Sequence, residues 1–191
     1  MKAIKLFIVI SIFGLSSILT SYGSSTSKIT SFETTASIVE PKTPRKCRIF
    51  NEVKKVQSLL SGAGIGTLRQ WRNDSFGWIS STPYYSFGSS SSVNGMQNNL
   101  AYYLESESEN YIEKVKIMLN INNGSEKYQA ISKFDKISKK TFELLKLKMP
   151  NGLSEAIKSG KKFSSENSEY KVLLVLNRSK IDTWKLTIEA K

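Results

Sequence analysis

The sequence contains no histidine and only one cysteine in 191 residues. Histidine is the commonest general base near neutral pH and a frequent metal ligand, so its absence excludes histidine-dependent triads and the usual zinc sites. A single cysteine excludes an internal disulfide, and iron–sulfur clusters need several thiolates. We therefore expect a domain that is stabilised by its apolar core and that holds neither a metal nor a cofactor.

The sequence also lacks a hydrophobic run long enough to span a membrane, because a membrane-spanning helix needs about 20 apolar residues. The longest run, Leu6–Leu19, is well short of that length. It follows Lys2 and Lys5 and precedes small residues at Ser21-Tyr22-Gly23, a pattern typical of a secretory signal peptide. The sequence predicts a signal peptide over residues 1–23 and an exported protein, either periplasmic or extracellular. The protein would be membrane-anchored if the signal were not cleaved.

Acidic residues are scarce, with 16 Asp and Glu against 28 Lys and Arg, which gives a formal net charge of +12. Such an excess favours encounters with anionic surfaces such as lipid headgroups or cell-wall polymers. Only five of the basic residues are arginine, the side chain best suited to bidentate recognition of bases and phosphates. We therefore do not expect a nucleic-acid ligand, whereas an anionic surface stays open as a partner.

The chain divides into three parts by composition. After the signal peptide, residues 24–46 are rich in Ser and Thr and show no helical or strand periodicity, which is typical of a flexible stalk. Residues 47–191 are long enough to form one domain with its own hydrophobic core.

Cys47 stands at the start of this domain, between basic neighbours on both sides. Positive charge near a thiol lowers its pKa, which would favour a reactive thiol or an intermolecular disulfide. The other interpretation is a small buried cysteine without a chemical role. The basic neighbours are Arg45, Lys46 and Arg48.

Apolar periodicity predicts both helices and strands in the domain. Helices are expected over Cys47–Leu60, Ala130–Leu145 and Ser154–Ser159. Strands are expected over Gly77–Phe87, Asn99–Ser106, Lys114–Ile121, Tyr170–Leu176 and Ile181–Ile188. This order, α-β-β-β-α-α-β-β, predicts an α+β fold: an antiparallel sheet of about five strands with one long helix packed on one face.

Aromatic residues are concentrated between Trp71 and Phe87, far above the 10% of the whole chain. Trp and Tyr combine a flat apolar face with a polar tip, which suits stacking on sugars or peptide side chains. The equally weighted alternative is that half of these rings form the core face of a strand. The candidate ligand-binding residues are Trp71, Trp78, Tyr84, Tyr85, Arg69 and Arg72.

The long predicted helix carries lysines on the side opposite its apolar stripe. These lysines form the most concentrated basic surface in the sequence, and they could meet lipid headgroups, a cell-wall polymer or an acidic partner. The simpler interpretation is a solvated helix face. The candidate basic-surface residues are Lys133, Lys136, Lys139 and Lys140.

Carboxylates are the remaining candidates for chemistry. The acidic turn of Glu105, Glu107 and Glu109 is interpreted as a solvated hairpin tip rather than a calcium site. Paired carboxylates can cleave glycosidic bonds, but the sequence fixes no distance between any two of them. The candidates are Glu33, Glu40, Glu52, Asp74, Asp135, Glu143 and Asp182.

The sequence therefore predicts an exported, non-enzymatic binding protein that recognises an unknown protein or polymer ligand outside the cytoplasm through its aromatic segment. One alternative is an electrostatic binder of anionic surfaces that uses the lysine-rich helix face. The other is a carboxylate-dependent hydrolase.

Overall fold

The computed structural model describes residues 45–93, 95–179 and 181–191. The predicted signal peptide and all but the last two residues of the predicted stalk lie outside this part of the chain, as do Glu33 and Glu40. The described helices are α1 (Val53–Ser61), α2 (Lys127–Leu144) and α3 (Leu153–Ser159), with short 3-10 turns at Arg48–Asn51 and Gly124–Glu126. None of the helices in these residues is long and apolar enough to cross a membrane.

Eight strands occur in the described residues, and every pairing between them is antiparallel. The order across the sheet is β1-β2-β4-β5-β8-β7-β6, and β3 pairs with β4 beside β2. The strands are β1 (Arg72–Asn73), β2 (Trp78–Ser81), β3 (Tyr85–Phe87), β4 (Asn98–Ser106), β5 (Lys114–Ile121), β6 (Phe163–Glu166), β7 (Tyr170–Asn177) and β8 (Asp182–Ala190).

The mixed helix and antiparallel-sheet fold is confirmed, whereas the predicted strand number and order are wrong in detail. The strand expected over Gly77–Phe87 is interrupted around Pro83, which lacks the N–H that a central strand position needs. Its two parts, β2 and β3, pair with different stretches of β4. Strands β1 and β6 were not predicted, because two and four mostly polar residues give no alternation to detect.

The core lies between one face of the central strands and the helices. Alternate residues of β4, β5, β7 and β8 are buried, as the period of two requires. On this face Trp184 of β8 meets Phe134 of α2 edge to face, with ring centroids 6.3 Å apart. The predicted apolar stripe of α2 is buried, except that Leu144 is half-buried at the end of the helix.

One charged side chain, Asp135, lies within the buried face of α2 and is only 4% exposed. Its carboxylate accepts a hydrogen bond of 2.7 Å from the Ser154 hydroxyl of α3 and one of 2.8 Å from the Lys139 ammonium. The Lys158 ammonium of α3 lies 3.9 Å away. Buried carboxylates are tolerated when donors surround them, so Asp135 ties α3 to α2.

Replacing Asp135 with Asn is therefore expected to destabilise the fold by about 1.5–3 kcal/mol, the usual contribution of a hydrogen bond to a charged group. The amide keeps the shape of the side chain but loses the negative charge that attracts two ammonium groups. Urea unfolding measures the change, with the exposed Glu143→Gln on the same helix as the control. Equal midpoints for the two variants would show that the buried carboxylate contributes nothing.

Candidate functional site

The β1–β2 hairpin ends in a turn that is held by its own hydrogen bonds. The Asp74 N–H donates to the Gly77 carbonyl at 3.0 Å, and the Asp74 carboxylate accepts from the Phe76 N–H at 3.2 Å. Ser75 adopts a positive φ of 77°, a conformation that L residues rarely adopt. The turn leaves the Phe76 side chain 98% exposed.

The hairpin tip is fixed against the end of β4. Gly77 has a φ of 130°, and a Cβ placed there would lie 2.6 Å from the Ser106 carbonyl oxygen. Only glycine permits this close approach. The neighbouring Trp78 pairs with Ser106 in the sheet register. The tip therefore has a defined position beside the turn that joins β4 to β5.

A cleft of about 370 Å³ lies between the hairpin tip and the β4–β5 turn. This volume is near the lower end of the roughly 300–1,000 Å³ of small-ligand sites. Phe76 and Trp78 contribute aromatic surface, and Lys114 is the basic residue in the lining. The carboxylates that line the cleft are those of Asp74, Glu105, Glu107 and Glu113.

Two of these carboxylates are already ion-paired. Glu105 pairs with Lys116 on the neighbouring strand, and Glu113 pairs with Arg45. The Arg45 guanidinium also lies over the Tyr111 ring, 4.3 Å from its centroid. These ion pairs offset part of the negative charge of the cleft. The cleft therefore presents aromatic faces and hydrogen-bond acceptors, and it is not simply a cluster of uncompensated carboxylates.

Trp71 stands behind the cleft and not in its lining. Its ring stacks on Trp78 with centroids 6.2 Å apart and an interplanar angle of 27°. The Trp71 indole N–H donates to the Glu109 carbonyl at 3.0 Å. Both contacts are of the kind that fix a ring, so Trp71 supports the orientation of Trp78.

The remaining aromatic candidates lie elsewhere. Tyr84 is 58% exposed, and its hydroxyl accepts a hydrogen bond of 3.3 Å from Tyr103, whose pKa burial raises to about 12. Tyr85 is half-buried and stacks on Phe87 with centroids 6.2 Å apart. The aromatic segment thus divides among several places in the fold, and only part of it borders the cleft.

The two arginine candidates are exposed but do not line the cleft. Arg69 precedes β1, and its backbone N–H donates to the Ser81 carbonyl at 3.0 Å. Arg72 is in β1 opposite Ile79. Arg72 therefore lies on the first strand of the hairpin and Arg69 before it, and neither is at the hairpin tip.

Two of the four candidate lysines are engaged with neighbours. The Lys133 ammonium lies 4.6 Å from the centroid of the Tyr85 ring and 5.0 Å from that of Phe87. Lys139 is held by the buried Asp135. Lys136 and Lys140 are exposed, and neither forms an ion pair with a described residue. The basic face of α2 is thus smaller than the sequence suggests.

Cys47 contradicts the expected lowering of its thiol pKa. The side chain is 4% exposed, and burial raises its pKa, with a further contribution from the charge of Glu169. The Arg45 guanidinium is directed to Glu113 and Tyr111 instead of to the thiol. The interpretation as a small buried cysteine fits this placement.

The cleft contains residues that sequence reasoning did not single out as ligand contacts. The sequence does not distinguish Phe76 from the other aromatic residues of its segment, and it predicts a solvated turn at Glu107. The turn-forming run Asn73-Asp74-Ser75 before Phe76 was the available signal for an exposed ring. In the described part of the chain, no group of three or more Cys, Asp or Glu side chains is placed to hold a metal ion.

No known family model, curated protein or solved structure matches this chain.

Burial of Cys47 predicts that thiol reagents modify it slowly in the native protein and rapidly after unfolding, because both the raised pKa and the lack of access suppress thiolate attack. The protein has a single cysteine, so the labelled mass measured over time follows this thiol alone. A Cys47→Ser variant gives the background. Equal labelling rates in native and unfolded protein would contradict the buried position.

Proposed function

We propose that this chain is an exported, non-enzymatic binding protein that recognises its ligand in the cleft between the hairpin tip and the β4–β5 turn. The observation that carries the proposal is the placement of Phe76, a 98% exposed ring on a fixed turn beside Trp78. A single exposed apolar side chain is ordinary on a protein surface, so Phe76 supports the proposal through its place beside Trp78 in a cleft that also presents hydrogen-bond acceptors.

The chemistry of the lining suggests the kind of ligand. Phe76 and Trp78 offer faces for stacking, and the carboxylates beside them accept hydrogen bonds. A sugar ring carries both complementary features, an apolar C–H face and hydroxyl donors. We therefore propose a polysaccharide outside the cytoplasm as the ligand, and a protein partner is the alternative.

Binding is favoured over hydrolysis because most of the candidate carboxylates are engaged separately. Asp74, the hydrolase candidate that lines the cleft, accepts a hydrogen bond from the Phe76 N–H of its own turn. Glu105 and Glu113 in the cleft each have a cationic partner. Of the carboxylates considered from the sequence, Asp135 is held by Lys139, Asp182 by Lys127 and Glu52 by Lys55. A hydrolase of the usual kind needs two carboxyl groups on either side of one bond.

The lysine-rich face of α2 gives weaker support to the alternative role, electrostatic binding of an anionic surface, than the cleft gives to ligand binding. Lys133 and Lys139 already have partners, which leaves Lys136 and Lys140 as the exposed cations of the four. Exposed lysines contribute to encounter with anionic surfaces without defining a site.

Replacement of Phe76 with Ala is expected to weaken polysaccharide binding about tenfold without lowering stability, because loss of a contact ring typically costs more than ~1 kcal/mol while an exposed ring packs on nothing. Co-sedimentation with insoluble peptidoglycan and cellulose measures the binding. The matched control is Tyr128→Ala, which removes a ring that is 87% exposed on α2.

Equal binding by both variants and the wild type would reject the cleft as the site, and absence of binding to either polymer would reject the polysaccharide. Release of soluble sugars that is lost in Glu107→Gln would replace the binding role with a hydrolase. Thermal unfolding of each variant separates loss of binding from loss of fold.

A further inference from the structure

The two edges of the sheet are built differently. One edge carries β1 and β3, which have two and three residues. The other edge is β6 (Phe163–Glu166), whose only partner strand among the described residues is β7. A strand at an edge presents backbone N–H and C=O groups that can pair with another strand.

The register of β6 shows which of its backbone groups point outward. The Asn167 N–H donates to the Tyr170 carbonyl at 3.0 Å, so this is a hydrogen-bonded pair of the antiparallel ladder. Such pairs alternate along a ladder, so Ser165 bonds to Val172 of β7. Ser164 and Glu166 lie between these positions, and their N–H and C=O groups therefore point away from β7.

We propose that two copies of this chain pair through β6, antiparallel, about a two-fold axis at Ser164. In this register Ser164 faces the same residue of the second copy, and the two exchange both of their outward backbone hydrogen bonds. Lys162 of each copy lies opposite Glu166 of the other. Ser164 and Glu166 alternate along β6, and Lys162 directly precedes its first residue, so a paired strand would continue the same alternation to Lys162.

Charge selects this register over the others. Parallel pairing in register would place Lys162 against Lys162, and like charges directly opposite one another are unfavourable. A shift by two residues in either direction would place Lys162 or Glu166 opposite a serine and would lose both ion pairs. Lys162, Ser164 and Glu166 are all exposed, so the surface is open to a partner strand.

Glu166 already has a cationic partner in its own chain, so an incoming Lys162 would share this carboxylate with Lys191. Its hydrogen bond from the Lys191 ammonium, at 2.5 Å, and the positive charge of that group lower the pKa of the carboxyl. Lys171 on the neighbouring β7 lies opposite Glu166 in the register and adds to the positive field. The carboxylate is thus negative at neutral pH and lies on the same face of the sheet as the incoming Lys162.

The pairing through β6 does not depend on the proposed ligand, but it would place two copies of the cleft on one particle. In the sheet order, β1 and β2 carry the hairpin tip at one end, and β6 forms the other end. A dimer through β6 therefore places its two clefts at the outer ends of one continuous sheet. Two sites on one particle raise the avidity for a repeating polymer.

The test is sedimentation equilibrium of the full chain and of two variants at one position. Ser164→Pro removes an N–H that points away from β7, so the internal ladder is kept while pairing with a second copy is blocked. Ser164→Ala keeps the N–H and is the matched control. We expect a dimer for the wild type and for Ser164→Ala, and a monomer with an unchanged far-UV spectrum for Ser164→Pro.

Charge variants test the register independently of the proline. Lys162→Glu is expected to raise the dimer dissociation constant roughly tenfold, because two attractive pairs become repulsive. Adding Glu166→Lys to the same chain should recover most of this loss. A wild type that stays monomeric up to millimolar concentration, or a dimer that neither Ser164→Pro nor Lys162→Glu weakens, would overturn the proposal, and neither result bears on the cleft.

Discussion

Burial of one face of the central strands beneath the helices is the interaction on which the rest of this structure depends. The hydrophobic effect drives it, because β4, β5, β7 and β8 each present a row of apolar side chains that water would otherwise contact. The Trp184–Phe134 contact and the enclosed Asp135 fix α2 and α3 on this face. The hairpin tip and β6 lie at the two ends of the sheet, outside these central strands.

The candidate site lies at the periphery of the sheet, beyond the buried central strands. The hairpin tip lies beside the end of β4. The close approach of Gly77 to Ser106, which belongs to β4, fixes the position of Phe76 and Trp78 relative to the core. Trp71 supports Trp78 from behind, so the ring pays little entropy to stay in place. The exposed Phe76 ring and Trp78 thus lie toward one edge of the sheet, and β6 forms the other edge.

Part of the positive charge of the chain is engaged by other residues of the same protein. The Lys133 ammonium lies over two aromatic rings, and Lys139 forms an ion pair with a buried carboxylate. At the start of the domain, Arg45 forms an ion pair with Glu113. A net charge counted from sequence cannot distinguish such cations from free ones, because the partners of Lys133 and Arg45 are distant along the chain and the burial of Asp135 beside Lys139 is set by packing. The cleft is correspondingly rich in carboxylates although the protein as a whole is basic.

The sequence by itself determined the long elements of this protein, since periods of two and of 3.6 residues specify which side chains share a face. Strands β4, β5, β7 and β8 and helix α2 follow from that alone. Tertiary structure decided the rest: the burial of Cys47, the division of the aromatic segment, and the short strands β1 and β6. Strands β1 and β6 pair with their neighbours along the chain, β2 and β7, but they are too short and too polar to show an alternation. The position of the cleft and of the start of the domain depends on contacts such as Gly77 with Ser106 and Arg45 with Glu113, which join residues too far apart in sequence for any local pattern to specify.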